Sequence, residues 1–218
     1  MDLLKLASGV SSFVVGAEGN VSERTKDGFA IKASGSDMRT LTINEIVFCD
    51  KRGQKVDVSE KQPSIETGFH AWLFEQPCIN FIAHTHPTNT LKILCSDFVR
   101  EFAQIRLFPD QVVYNGEKSC VVPYAMPGIN LLEQIKSHVS NFIETEEYFP
   151  KVILLENHGI ICAGSSYKQC IIASEICEKA ANIYLGSKLL GKINRLDSKC
   201  IQTIKNDQKE IYRQSIIN

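Results

Sequence analysis

Asn80-Phe81-Ile82-Ala83-His84-Thr85-His86-Pro87 is an apolar run that ends in two imidazoles and a proline. Residues 80–84 read as a buried strand. Side chains at i and i+2 of a strand share a face, about 6–7 Å apart at the backbone. His84 and His86 can therefore turn toward one point. Pro87 suits the start of the next helix, because a first-turn residue has no hydrogen bond for its missing N–H. Val152-Ile153-Leu154-Leu155-Glu156-Asn157-His158-Gly159 has the same form, an apolar strand ending in a histidine, with Gly159 expected to let the backbone turn sharply.

Hairpins and helices alternate outward from these two stretches. Leu3, Leu6, Ala7 and Val10 recur at helical spacing and predict an amphipathic first helix rather than a signal peptide. Val21–Arg24 and Phe29–Lys32 form a hairpin around Asp27-Gly28, and Val47–Cys49 and Lys55–Val58 a second around Lys51-Arg52-Gly53. Between them, Thr42-Ile43-Asn44-Glu45 is a capping box opening a brief helix. Ser64 is expected to cap a helix that runs to about Glu75 and stops before Pro77. Val112–Tyr114 and Ser119–Val122 suggest a third hairpin around Asn115-Gly116-Glu117. Helices follow over Leu131–Ile143, from Ser166 through Leu190, and over Asn206–Ser215. This order favours the α/β class, a sandwich with a mixed, mainly antiparallel sheet, over a strict βαβ winding.

The chain has 218 residues, against about 150 for a typical domain, so one domain over 1–218 is expected. Lys+Arg number 24 and Asp+Glu 25, a balance that argues against a nucleic-acid partner, whose footprint is basic. Apolar runs fall far short of the ~20 residues a membrane span needs. The eight cysteines are scattered and form no C-x-x-C, and Cys95, Cys162 and Cys177 read as small hydrophobes. A reducing compartment, the cytoplasm, follows as the expectation.

Three neutral imidazoles with one position left open is the pattern of a catalytic zinc centre rather than a closed structural one. His84, His86 and His158 offer that set, although H-x-H alone is also found as a plain surface or core pair. Glu66 and His70 lie four apart and share a helix face. Glu66 is then a fourth ligand or a general base, or one half of an ordinary solvated pair, which spacing alone favours. His138 reads as solvent-facing. Gly16-Ala17-Glu18-Gly19-Asn20 lacks the G-x-G-x-x-G spacing and precedes a strand, which excludes a dinucleotide fingerprint. Ala33-Ser34-Gly35-Ser36 is either a simple turn or a cradle of N–H groups and hydroxyls for an anion.

Five blocks together resemble the class II (zinc-dependent) aldolase/adducin-head family: G-N-V-S-E-R at 19–24, I-K-A-S-G at 31–35, P-S-I-E at 63–66, H-T-H at 84–86 and N-H-G at 157–159. The resemblance spans roughly Leu3 to Leu190 and includes the fuculose- and rhamnulose-phosphate aldolases of that family. It implies a three-layer α/β/α sandwich, a zinc ion on His84, His86 and His158, and Glu66 as the proton shuttle beside it. It also implies that Asn20, Ser34, Gly35 and Ser64 hold a substrate phosphate, and that four copies assemble with active sites at subunit interfaces. Three histidines accept cobalt, nickel or manganese as well. The implied activity is that of an aldehyde-lyase acting on a small ketose or ketose phosphate through a metal-stabilised enediolate. Alternatives on the same site are a sugar-phosphate 4-epimerase, a dehydratase or a decarboxylase. Epimerases of the family tend to carry aspartate where Glu66 stands. An adducin-head-like interaction module is the non-enzymatic alternative, but such heads have lost the histidines.

Two departures from the family pattern bear on substrate. Ala17 and Ile65 stand where fuculose-phosphate aldolases carry hydroxyls, and Glu18 adds a negative charge to the same loop. Lys32 could offset that charge unless strand alternation turns it away. The family's second acid, a tyrosine from a neighbouring subunit, has no clear match; Tyr114 and Tyr124 are candidates that read more readily as packing residues.

Overall fold

The computed structural model describes residues 1–217. In chain order the elements are α1 (Asp2–Val10), β1 (Asn20–Arg24), β2 (Gly28–Lys32), β3 (Ile46–Asp50), α2 (Thr67–Leu73), β4 (Phe81–Thr85), α3 (Thr88–Leu94) and α4 (Val99–Gln104). They continue with α5 (Pro109–Asn115), β5 (Cys120–Val122), α6 (Ile129–Glu146), β6 (Val152–Leu155), β7 (Gly159–Gly164), α7 (Tyr167–Leu190), α8 (Ser198–Asn206) and α9 (Gln208–Ile217). The strands form one sheet in the order β3-β2-β1-β4-β7-β6-β5. Every pairing is antiparallel except β5 with β6.

Helices cover both faces of this sheet. On one face Leu131, Ile135, Val139 and Phe142 of α6, at helical spacing, pack with Phe69 and Leu73 of α2 against Phe29, Ile31, Val47, Ile153 and Leu155. On the other, Ala173, Cys177 and Tyr184 of α7 close over Val152, Leu154, Ile160 and Cys162. Leu3, Leu6 and Val10 of α1 cover Val21, Ala30 and Ala83 beside them. The unbroken apolar run of β6 follows from this: alternate residues enter opposite cores, so no position faces water. The result is the three-layer α/β/α sandwich with a mixed, mainly antiparallel sheet. No described helix is long and apolar enough to cross a membrane.

Several local expectations are corrected. The Val112–Tyr114 segment is helical, not a hairpin arm. Pro109 takes the first helical position of α5, and Gly116, at φ 80°, closes the helix rather than a β-turn. Leu107 N–H donates to Gln111 Oε1 at 2.8 Å, which fastens the entry to that helix. Lys55–Val58 does not become a strand; only Cys49 and Lys55 bridge. The Asp57 carboxylate instead accepts from Phe48 N–H at 2.6 Å, so a side chain occupies the exposed edge of β3. Val58, fully exposed, has nothing to pack on. The C-terminal segment folds as two helices, and the first is capped by Asp197, which accepts from Cys200 N–H. Cys162 and Cys177 are buried as expected, but Cys95 is exposed at the end of α3. His138 is half-buried and bonded to Gln134 O.

Arg106 is fully buried without a carboxylate partner, and burial lowers its pKa to about 10, so it stays charged. Its guanidinium donates to Gly116 O, Ala103 O, Ile105 O and Ser119 Oγ. These bonds tie α4, the end of α5 and the approach to β5 together. An orphaned buried acceptor costs about 1–3 kcal/mol. Arg106→Ala should therefore lower the unfolding free energy by at least about 3 kcal/mol. Urea denaturation followed by circular dichroism reads this directly, and a loss below about 1 kcal/mol would mean that water replaces the guanidinium at little cost.

Candidate active site

His84 lies within β4, paired across to Asn20 on β1 and Ile161 on β7. His86 follows the strand, and its N–H is held by Phe13 O at 3.0 Å. His158 sits in the corner between β6 and β7. The left-handed turn there is made by Asn157, at φ 55°, not by Gly159 as expected. Gly159 is required for a different reason. A Cβ on it would lie 2.5 Å from Thr85 O and 2.5 Å from His86 Cδ2, so only glycine lets the corner close against the end of β4.

The three imidazoles converge. Nε2 of His84 lies 3.2 Å from Nε2 of His86 and 3.3 Å from Nε2 of His158. Four ligands held tetrahedrally at about 2.0–2.1 Å from a zinc ion lie about 3.3–3.4 Å from one another. Burial, and for His86 and His158 the neighbouring His84, push each pKa down to about 4, so all three rings are neutral at pH 7. His84 donates its Nδ1–H to Ile160 O at 2.9 Å, which leaves Nε2 as a bare lone pair facing the cluster. Glu66 Oε2 is 3.4 Å from His84 Nε2, and Oε1 is 3.3 Å from His158 Nε2. Glu66 Oε1 is buried with no hydrogen-bond donor. The bare Nε2 of His84 and the unpaired Oε1 of Glu66 are buried acceptors facing one point, which fits a cation. His84, His86 and His158 are the residues that could hold one.

Glu66 reaches this point because α2 starts later than expected. Residues 63–65 stay non-helical, Ser64 O takes the N–H of Thr67, and Glu66 occupies the N-cap position instead of the first helical turn. The carboxylate is then fixed by a buried relay. Asn20 Nδ2 donates to Glu66 Oε2 at 2.8 Å and to Ser64 Oγ at 3.2 Å. With its amide hydrogens so used, Asn20 turns Oδ1 to the Nε2–H of His70. His70 Nδ1 then accepts from Ser22 Oγ at 2.6 Å. Burial, with His84 nearby, holds His70 far below its usual pKa, as this neutral tautomer requires. Glu66 and His70 are thus both buried, and the reading of a solvated surface pair is wrong. Spacing gave no sign of this relay; the alternation of Asn20 and Ser22 on one strand face was its only trace.

The expected anion-binding residues come from three segments gathered on one rim. Ala33 bridges to Pro63, Ser34 N–H donates to Gln62 O, and Asn20 bonds Ser64, so the 33–35 turn, residues 62–64 and the start of β1 adjoin. Gly35, at φ 80°, makes the turn. Lys32 is not turned away. It is 2% exposed, and its Nζ donates to Ala17 O at 3.2 Å and Ser36 O at 2.6 Å, tying the two loops together. Tyr114 lines a small cavity with Lys151 and Gln214, none of them a residue of the histidine cluster, and Tyr124 is exposed.

Similarity to known proteins agrees with this architecture. The chain is 26% identical over 173 residues to an L-fuculose phosphate aldolase of Methanococcus maripaludis, covering 78% of this chain and 86% of that one. It is 28% identical over 174 residues to a 3-oxo-tetronate 4-phosphate decarboxylase of Haemophilus influenzae, covering 79% of each. The solved structure of an L-fuculose 1-phosphate aldolase superposes with a TM-score of 0.76 at 22% identity, over 93% of this chain and 92% of that one, and so shares its fold. With a family profile matching residues 5–185, the chain belongs to the Class II Aldolase and Adducin N-terminal domain family.

Proposed function

We propose that this protein is a metal-dependent aldehyde-lyase that cleaves a small ketose or ketose phosphate by retro-aldol chemistry, with His84, His86 and His158 holding zinc or a similar divalent ion. The observation that carries the reading is the convergence of three neutral imidazoles beside a carboxylate that is itself held in place. A bound divalent ion supplies Lewis acidity, drawing electrons from a carbonyl and its neighbouring hydroxyl. Glu66 moves the proton at the carbon that becomes nucleophilic on cleavage. Asn20 keeps Glu66 aimed and, through His70 and Ser22, resists its rotation. Ser34, Gly35 and Ser64 hold the far end of the substrate, whereas the Asn20 amide, expected to share that role, is spent on Glu66, Ser64 and His70 and acts from behind them. The reading includes a tetramer with interfacial sites, as the family resemblance implies. Exposed apolar residues such as Ile65, Met126 and Ile129 suit coverage by another subunit.

Decarboxylation of a related sugar acid needs the same electron sink, and the likeness to a 3-oxo-tetronate 4-phosphate decarboxylase favours it as the second reading. A screen of ketose phosphates, free ketoses and 3-oxo sugar acids with the purified zinc form separates the two. Released aldehyde supports the lyase, released carbon dioxide the decarboxylase. Neither product from any substrate class would sink both.

The rim predicts a modest response to phosphate. Two lost charge-assisted donors, at Ala17 and Ile65, remove about 1.5–3 kcal/mol each. Glu18 repels a dianion further, while the Lys32 ammonium commits two of its three N–H groups to carbonyls and offsets part of that charge. For one ketose with and without its terminal phosphate, the kcat/KM ratio should stay below about a thousandfold, roughly 4 kcal/mol. A larger ratio would show that other groups complete the site.

A further inference from the structure

The three histidines are not held alike. His84 is locked by strand pairing on both sides and by its bond to Ile160 O. His158 is wedged in the β6–β7 corner. His86 lies outside any strand, with 17% of its side chain exposed. Two carboxylates from distant parts of the chain converge on it and on the turn that follows it. Glu18 Oε2, steadied by Val15 N–H at 3.0 Å, faces His86 Nδ1 at 3.6 Å, on the far side of the ring from the cluster. Glu178 reaches from α7 to the first turn of α3, directly after His86-Pro87. Its Oε1 accepts from Asn89 N–H at 2.8 Å and Asn89 Nδ2 at 2.9 Å, and its Oε2 from Thr90 N–H and Thr90 Oγ1, both at 2.8 Å.

We propose that Glu18 and Glu178 are positioning residues for His86: Glu18 sets the tautomer and tilt of its ring, and Glu178 anchors the backbone that carries it. The inference rests on the metal reading above. A carboxylate opposite Nδ1 keeps the proton on that nitrogen and leaves Nε2 to the ion, the arrangement by which outer carboxylates fix metal-ligating histidines. Glu178 acts on the main chain. Two of its four bonds satisfy backbone N–H groups that have no partner within α3, and the other two hold the Asn89 and Thr90 side chains, so that together they tie the His86–Thr90 turn to α7. In E178Q the amide nitrogen opposes one pair of those donors, while E178D shortens the reach but keeps the charge.

The test is zinc affinity, measured by competition with a chromophoric chelator on folded wild type, E18Q, E178Q, E178D and the control E101Q. Glu101 is an acid of the same kind that accepts side-chain bonds from Tyr184 and Lys188 and none from the three histidines. E18Q and E178Q should each bind zinc about 10–100-fold more weakly, with E178D between E178Q and wild type and E101Q unchanged. With cobalt in place of zinc, the visible bands of E18Q should shift, a response that lost stability alone does not produce. Wild-type affinity in both E18Q and E178Q, or an equal loss in E101Q, overturns the positioning roles while leaving the metal centre intact. If E178Q does not fold, E18Q and E178D decide. Failure of the wild type to bind zinc overturns the metal centre, and the positioning roles with it.

Discussion

A protein carrying alanine at both His84 and His158 should hold no zinc after dialysis, while the wild type keeps one ion per chain. Structural zinc sites bind with about 10–16 kcal/mol spread over four ligands, so two ligands account for about 5–8 kcal/mol, or roughly 10³·⁵- to 10⁶-fold in affinity. His86 alone cannot retain an ion against that loss. Cleavage activity should fall with the metal, yet the protein should remain folded, because the cores on both sides of the sheet owe nothing to the site. Elemental analysis and a thermal melt of the same sample check both halves. Full occupancy in the double variant would remove these histidines from metal binding.

Glu66→Gln is expected to separate binding from chemistry. The amide keeps the shape of the carboxylate and loses its proton-accepting capacity. Zinc should stay, since the three imidazoles are untouched. Exchange of the proton at the substrate's nucleophilic carbon should slow by about 10²–10⁴, the scale of general acid–base catalysis. Asn20 gives a second view of the same group. Its amide is the donor seen on Glu66 Oε2, so Asn20→Ala should slow exchange in the same direction while sparing the metal. Unchanged exchange in a metal-replete Glu66→Gln protein would exclude Glu66 from proton transfer.

Strand-end histidines were legible in the sequence because strand periodicity is rigid. The apolar runs at 81–85 and 152–155 could bury themselves only inside a sheet, and each then delivered its histidine to the same edge. The hairpin at Asp27-Gly28 and the long helix from Ser166 followed from local turn and cap chemistry in the same way. What escaped was tertiary in origin. Val112 and Val113 carry strand propensity, but Pro109 and the burial offered by α7 made them helical. The start of α2 moved by two residues, with the N-cap at Glu66 instead of Ser64, because Ser64 spends its carbonyl and hydroxyl on a turn ahead of the helix. That small shift turned Glu66 from a surface residue into a buried one. The Asn20–His70–Ser22 relay joins residues about fifty positions apart, and no local pattern encodes such a meeting.

The pairing of β4 also constrains the order in which the site comes into being. Strand β4 has no neighbour close to it in sequence; its partners are β1, near the start of the chain, and β7, far beyond it. As the polypeptide leaves the ribosome, the β1–β2–β3 meander can form from local contacts as soon as Asp50 has emerged. His84 and His86 appear next, but the third imidazole is not delivered until the β6–β7 corner has been made and Gly159 has closed on Thr85. Until then the nascent chain offers two adjacent histidines, a weak and unselective trap for any passing ion. On the metal reading proposed above, capture of an ion therefore follows closure of the sheet rather than guiding it.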